Sequence, residues 1–485
     1  MNLPTSRYRI AVAVSVALAL AALPVFSAEE RRSGLQDQQS VAVTIYNENL
    51  ALVKETRKVR LDSGLNRLAL REVSGRMQPE TAQLRSVSHP GAFALLEQNF
   101  DFDLLTPAKL LEKNVGRTVR LIKTHPTTGA ETVESAQVLS ANNGVVLKIG
   151  NRIETGVPGR LVFDEVPANL RDRPTLVMQL DNAKPAEQTL ELSYLSGGLA
   201  WRADYVAELS GDDQALELNG WVTLTNQSGT SYQNAKLQLV AGDVHRARRE
   251  MAVGASAPVA EARMQKSAEA SMTQEALFEY HLYTLNRPTT VADNQTKQVA
   301  LLNAAAVPVN KELLLAGNDY YYRSSFGNLG QKMKIGVFIE FENRESAGLG
   351  MPLPKGVVRV YKKDQSGNAQ FVGEDRIDHT PKNEKLRLKL GDAFDVTADK
   401  KQTDFRKHER SDKYVYAFET AYEIVLKNAK REAVTVTVQE PVPGDWKMLD
   451  ETHKHDKAAA GTARWRIPVP ANGSTTLRYR VLVRY

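Results

Sequence analysis

The sequence predicts a mainly β protein made of several small antiparallel domains, its C-terminal half folded as immunoglobulin-like β-sandwiches. Three observations carry this. Apolar side chains alternate with polar or small ones over short runs, as at Val41, Val43 and Ile45, or at Leu216, Leu218, Val222 and Leu224. Turn-forming residues separate the runs, among them Asp62-Ser63-Gly64, Asn142-Asn143-Gly144 and Pro158-Gly159. A strand, asparagine, turn, strand grammar recurs at Asn226, Asn343 and Asn428, with unequal spacing that argues against a solenoid.

Residues 1–28 read as a signal peptide. Arg7 and Arg9 precede an apolar run from Ile10 to Leu23, shorter than the roughly 20 residues of a spanning helix, and Pro24, Ser27 and Ala28 follow it. The polar residues 29–40 are expected to be a flexible leader. A first β domain spans 41–100, with runs at 50–61, 65–70 and 82–87. Over 101–185 a short helix near 106–115 is expected, because Thr106 suits an N-cap, Pro107 suits the first helical position and Gly116 ends the pattern. Strands at 118–123, 134–139, 145–149 and 161–163 then form a small barrel-like domain.

A β-sandwich region follows over 186–370. It is interrupted near 244–274 by a weakly patterned segment rich in Ala, Ser, Glu, Arg and Met, expected to be a mobile insertion. The last sandwich occupies 371–485. Within it, 396–412 is crowded with charge and reads as a solvated loop.

Composition narrows the chemistry. The chain has no cysteine, so disulfides, thiol nucleophiles and zinc–thiolate sites are excluded. With 63 basic and 57 acidic side chains and a net charge of +6, its surface is mixed in sign, which is no nucleic-acid footprint. Mild basicity suits an anionic glycan, and peripheral association with a membrane surface also fits. No G-x-S-x-G, Walker A, H-E-x-x-H or EF-hand pattern occurs, and only 8 histidines are available as bases or ligands.

Three sets of residues could carry a site. Glu374, Asp375, Asp378 and His379 gather three carboxylates and an imidazole within a short stretch, which could hold a divalent metal or orient a base; with Arg376 the same stretch also makes an ordinary acidic turn. His453 and His455 lie two apart, the spacing that puts two ligands on one face of a strand, although lysines beside them suit a polar loop. Trp201 and Trp221 could stack on sugar rings, whereas tryptophans of sandwiches commonly sit in the core.

Tyr194-Leu-Ser-Gly-Gly-Leu-Ala-Trp-Arg-Ala-Asp-Tyr205, Gly220-Trp-Val-Thr-Leu-Thr-Asn-Gln-Ser-Gly229 and Leu239-Val-Ala-Gly-Asp243 resemble a large bacterial family. Further matches are Glu279 to Tyr283, Arg287 to Thr290, Gly350 to Pro354 and Gly373 to Pro381. That family carries a C-terminal domain of unknown function and includes proteins labelled mucoidy-inhibitor-like. The resemblance implies export and a tie to surface polysaccharide, and it brings no catalytic residue.

Together these readings point to an exported protein of the periplasm or outer cell surface. It would act as a non-enzymatic binding or structural module for an envelope protein or an anionic surface polysaccharide, with no cofactor. One alternative is a metal-assisted or carboxylate-driven hydrolase centred on 374–379. The other is an outer-membrane β-barrel, because Leu477, Tyr479, Val481, Val483 and Tyr485 alternate with Arg478, Arg480, Leu482 and Arg484.

Overall fold

The computed structural model describes residues 29–485 apart from 48, 168, 243, 245–271, 409–413 and 415. The expected signal peptide and most of the expected insertion near 244–274 lie outside the described residues. The protein is mainly β. Its strands form five sheets, and the one α-helix among the described residues is Pro107–Lys113.

The first sandwich sets two of these sheets face to face. One contains Gln38–Tyr46, Leu50–Leu61, Gln83–Ser86, Ala186–Ser196, Tyr232–Ala241, Met272–Leu277 and Tyr280–Leu285. The other runs in the order Gln295–Pro308, Ala215–Asn226, Leu199–Leu209, Gly356–Lys363, Ala369–Ile377. Alternation decides which face is buried: Leu216, Leu218, Val222 and Leu224 point inward with Trp201, Ala203, Tyr205 and Ala207, against Val43, Ile45 and Val53. Gly220 shares that inner face. A Cβ there would stand 2.9 Å from Leu302 Cγ and 3.2 Å from the Tyr205 ring, so glycine leaves the room that both side chains occupy.

The pairing crosses the expected division at 186. Leu50–Leu61 pairs antiparallel with Ala186–Ser196, and Gln38–Tyr46 pairs parallel with Lys236 to Val240. A four-stranded sheet of Glu30–Ser33, Gly64–Arg71, Thr175–Asn182 and Phe93–Asp101 adds Leu68, Leu70, Leu176, Met178 and Leu180 to the same core.

Residues 29–40, expected to be a flexible leader, are instead ordered as strand Glu30–Ser33, the short 3-10 turn Leu35–Asp37 and the start of Gln38–Tyr46. Two arginines hold them down. Arg171 grips the Glu30 carboxylate with Nη1 at 2.7 Å and Nη2 at 2.8 Å, and buried Arg57 donates to the Ser33 carbonyl at 2.8 Å. Polarity there reports ion pairing, not disorder.

The helix begins as expected, with Thr106 Oγ1 accepting from the Lys109 N–H at 3.1 Å and Gly116 at φ +83° beyond its end. It adjoins a five-stranded antiparallel sheet whose small core is Val119, Leu121, Ala136, Val138, Leu147 and Ile149. The recorded pairing is an open ribbon with Arg152–Glu154 and Arg160–Val162 at its two edges.

A nine-stranded sheet forms the C-terminal part, in the order Asp445–Glu451, Gly473–Arg484, Ala417–Asn428, Lys385–His408, Asn328–Glu342, Asn310–Ala316, Val434–Pro441, Thr462–Val469, Asp456–Ala459. It curls until Thr462–Val469 packs against Gly473–Arg484 and Ala417–Asn428. Between the layers lies a second core of Ile424, Leu426, Val436, Val438, Trp465, Ile467, Leu477, Tyr479, Val481 and Val483.

Two expectations are corrected here. The charged stretch 396–412 is no loop through His408, because Val396 and Ala398 are fully buried and Val396 to His408 pairs with Ala417–Asn428. The strand read as the closing strand of a membrane barrel turns Leu477, Tyr479, Val481 and Val483 into this core at 0–2% exposure, where a barrel would present them outward.

The recurrent asparagines hold the turns. Asn226, Asn343 and Asn428 are all buried. The Asn226 amide donates to the carbonyls of Thr230, Val291 and Ala292 at 2.9–3.1 Å and accepts from the Ser228 N–H at 3.0 Å. Asn428 repeats the geometry, donating to Glu432 and Pro470 and accepting from the Lys430 N–H. Asn343 donates to Met351 and Pro381 and accepts from Gly350. Each side chain replaces backbone partners that the turn removes.

Candidate functional site

The carboxylate-rich stretch does not close into a site. Strand Ala369–Ile377 alternates, so Glu374 lies opposite Arg359 on the outer face, whereas Asp375 lies opposite inward-facing Val358. Glu374 pairs with Arg359 Nε at 3.2 Å. Asp375 accepts from the backbone N–H groups of Arg376 at 2.8 Å and Lys389 at 2.7 Å, tying one sheet to the next. Asp378 is exposed. His379 takes the Lys355 N–H on Nδ1 at 3.2 Å and turns Nε2 toward Asn47 at 3.4 Å.

The two C-terminal histidines also separate. His453 meets the Thr452 hydroxyl at 3.1 Å. His455 lies between the rings of Trp446 and Trp465, at 5.5 and 5.9 Å, with Nδ1 on the Glu451 carboxylate at 2.9 Å. Trp465 Nε1 donates to the same oxygen at 3.0 Å. Among the described residues no cluster of three metal-ligating side chains occurs.

The two tryptophans singled out from the sequence have opposite fates. Trp201 is 4% exposed, packed on Tyr283 in the first core, and is closed to any ligand. Trp221 lies on the opposite parity, partly exposed on the outer face of the five-stranded sheet.

That outer face is the best-formed candidate site. Its three central strands meet the rest of the described protein through the sheet on the inner side. Across it runs a chain of polar contacts that touches all five strands. Gln298 donates to Thr223 Oγ1 at 3.2 Å, Thr223 donates to Asp204 Oδ2 at 2.7 Å, Arg359 Nη1 reaches Asp204 Oδ1 at 3.3 Å, and Arg359 continues to Glu374. Arg202 Nε supplies a further contact to Asp204 at 3.1 Å. A second line joins Asn303 to Asn219 and Asn219 to Glu217.

Aromatic rings flank these lines. Trp221 sits beside Asn219 and Thr223 on its own strand and opposite Asp204. Tyr361 and Phe371 make an edge-on pair 5.7 Å apart at one end of the face, with Phe371 55% exposed. From strand spacing and rise, Trp221 and Tyr361 are about 16 Å apart. Arg376 is exposed in the row of Trp221 and Asp204 and makes no ion pair among the described residues.

Sequence parity marks Trp221 as outward once its neighbours are seen to be core. It cannot add Tyr361, Arg359, Phe371 and Arg376, because the parallel pairing of Leu199–Leu209 with Gly356–Lys363 joins segments far apart in the chain.

Other matched segments meet beneath this sheet. Tyr205 donates to the Pro354 carbonyl and Tyr283 to the Pro352 carbonyl, both at 2.8 Å, while Asn343 holds Met351. The Gly350 to Pro354 segment is thereby pinned by buried side chains.

Residues 190–485 match a family described as Domain of unknown function (DUF4139). No curated protein matches the chain.

Proposed function

We propose, for a chain that belongs to the DUF4139 family, a non-enzymatic binding role in the cell envelope in which the outer face of the five-stranded sheet receives an anionic polysaccharide. The observation that carries this reading is Trp221, held half-open on the sheet beside fixed polar groups, with Arg376, which makes no ion pair among the described residues, three strands away in the same row. A sugar ring stacks its C–H face on an indole, and its hydroxyls need donors and acceptors already in place. Uronate or phosphate groups along such a chain suit Arg376 and Arg202, since a guanidinium binds a carboxylate with two parallel N–H groups.

Export and an envelope location are part of the proposal. They are supported by the short apolar run after Arg7 and Arg9 and by the resemblance to mucoidy-inhibitor-like proteins.

The test is retention of the purified protein on immobilised polygalacturonate, with a neutral glucan as reference. Trp221→Ala and Arg376→Ala should each weaken binding about tenfold, the effect of losing roughly 1.4 kcal/mol at a central contact. Equal behaviour of both variants and the parent, or equal retention on the neutral glucan, would remove the proposal. In that event an envelope protein seated on the same face becomes the better reading, checked by cross-linking in intact cells.

A further inference from the structure

The C-terminal core contains a fully buried ion pair that no surface site uses. Lys400, on Lys385–His408, is 1% exposed, and Glu440, on Val434–Pro441, is 0% exposed. Lys400 Nζ stands 2.6 Å from Glu440 Oε1. The two strands are separated by two others in the sheet order, so the pair spans the interior of the curled sheet.

The surroundings are aromatic. The Lys400 ammonium lies 4.4 Å from the Tyr321 ring centre and 5.0 Å from that of Tyr422. The Tyr322 hydroxyl donates to Glu440 Oε2 at 2.9 Å and meets the Tyr479 hydroxyl at 2.9 Å. Trp465 packs on Tyr479 with ring centres 4.8 Å apart. At Gly317 a Cβ would come within 2.0 Å of Glu440 Oε2, so a glycine clears the room the carboxylate occupies.

We propose that Lys400 and Glu440 condense into an isopeptide bond that staples the two strands through the C-terminal core. Such a bond would cross the core beside a tryptophan, as the inter-sheet disulfide of an immunoglobulin domain does; this chain has no cysteine with which to make one.

The chemistry balances without a co-reactant. A proton moves from the ammonium to Oε1 along the existing hydrogen bond, leaving a neutral amine and a neutral carboxyl. The Nζ lone pair attacks Cδ while the Tyr322 hydroxyl steadies the developing negative charge on Oε2. A second proton passes from nitrogen to Oε1, the Cδ–Oε1 bond breaks, and one water departs. A charged lysine and a carboxylate become a neutral amide and water. Burial favours the first stage and the product: desolvation lowers the Lys400 pKa and so favours the free amine, and two charges in a low-dielectric core are finally replaced by none.

Peptide mapping of the purified full chain by mass spectrometry decides the matter. The expected result is a branched peptide joining the segments around Lys400 and Glu440, lighter than its two parts by one water, with no tryptic cleavage after Lys400. Lys400→Arg should restore the full mass, and Tyr322→Phe should slow the loss of water after refolding. Mapping is required because cyclisation of an N-terminal glutamate also removes one water. Complete cleavage after Lys400 with unmodified peptides, or a water loss that maps elsewhere, overturns the proposal, and neither result depends on a variant that folds.

Discussion

Asn226 and Asn428 show how much of this fold hangs on single side chains. Each is a buried amide that satisfies carbonyls of a turn and of a neighbouring loop. Asn428→Ala would leave those carbonyls without partners. A loss of about 2–4 kcal/mol is expected, measured as a lowered urea midpoint with unchanged slope. Asn428→Asp keeps the acceptor but loses both N–H donors, so it should cost nearly as much. The importance of these asparagines was legible in the sequence, because a turn-former that recurs in the same strand–turn–strand setting three times has few other reasons to be there. The carbonyls they reach were not, since Val291 and Pro470 come from segments distant in the chain. The two tryptophans divide the same way. Trp201 keeps the parity of Ala203 and Tyr205 and goes inside, while Trp221 follows core-facing Gly220 and goes outside.

At the scale of elements, the first strand shows what local composition hides. Glu29 to Ser40 reads as solvated because it is charged, yet Glu30–Ser33 pairs parallel with Gly64–Arg71. Its anchor is electrostatic. The Arg171 guanidinium holds the Glu30 carboxyl down to about 2, with help from Arg67 and Arg32 against the opposing cost of burial. A lowered carboxylate pKa contributes stability that is fully present above the unfolded value of 4.5 and is lost as pH falls toward about 2. Melting temperature measured over that window should fall more steeply for the parent than for Glu30→Gln, which is less stable at neutral pH and less sensitive to acid. Identical slopes would show that the first strand is held by something other than this pair. The helix was readable because its signals are local: a capping threonine, a proline and a glycine within one short segment. The strand needed an arginine far along the chain.

Taken whole, the protein has two large cores, one gathered around Tyr205 and Leu218 and one around Trp465 and Tyr479. Asn328–Glu342 and Lys385–His408 belong to both, since Ile339 and Leu388 lie in the first and Ile335 and Ala398 in the second. Two separate cores predict two calorimetric transitions. Leu218→Ala and Leu477→Ala, both at fully buried positions, should each lower one of them, by about 2–4 kcal/mol. Equal displacement of both transitions by either variant would mean that the shared strands weld the cores into one cooperative unit. The class of fold was legible from period-two patterning alone. The arrangement of sheets was not, because alternation says which face of a strand is buried and nothing about which strand lies beside it.

The partners of the first strands carry a consequence for how the protein comes into being. Gln38–Tyr46 finds one neighbour in Lys236 to Val240, and Leu50–Leu61 finds one in Ala186–Ser196. A nascent chain leaving a ribosome therefore presents these early ribbons with bare edges until about half of the polypeptide has followed. Such late closure favours slow assembly, and it leaves an interval in which a holdase could shield the open edges.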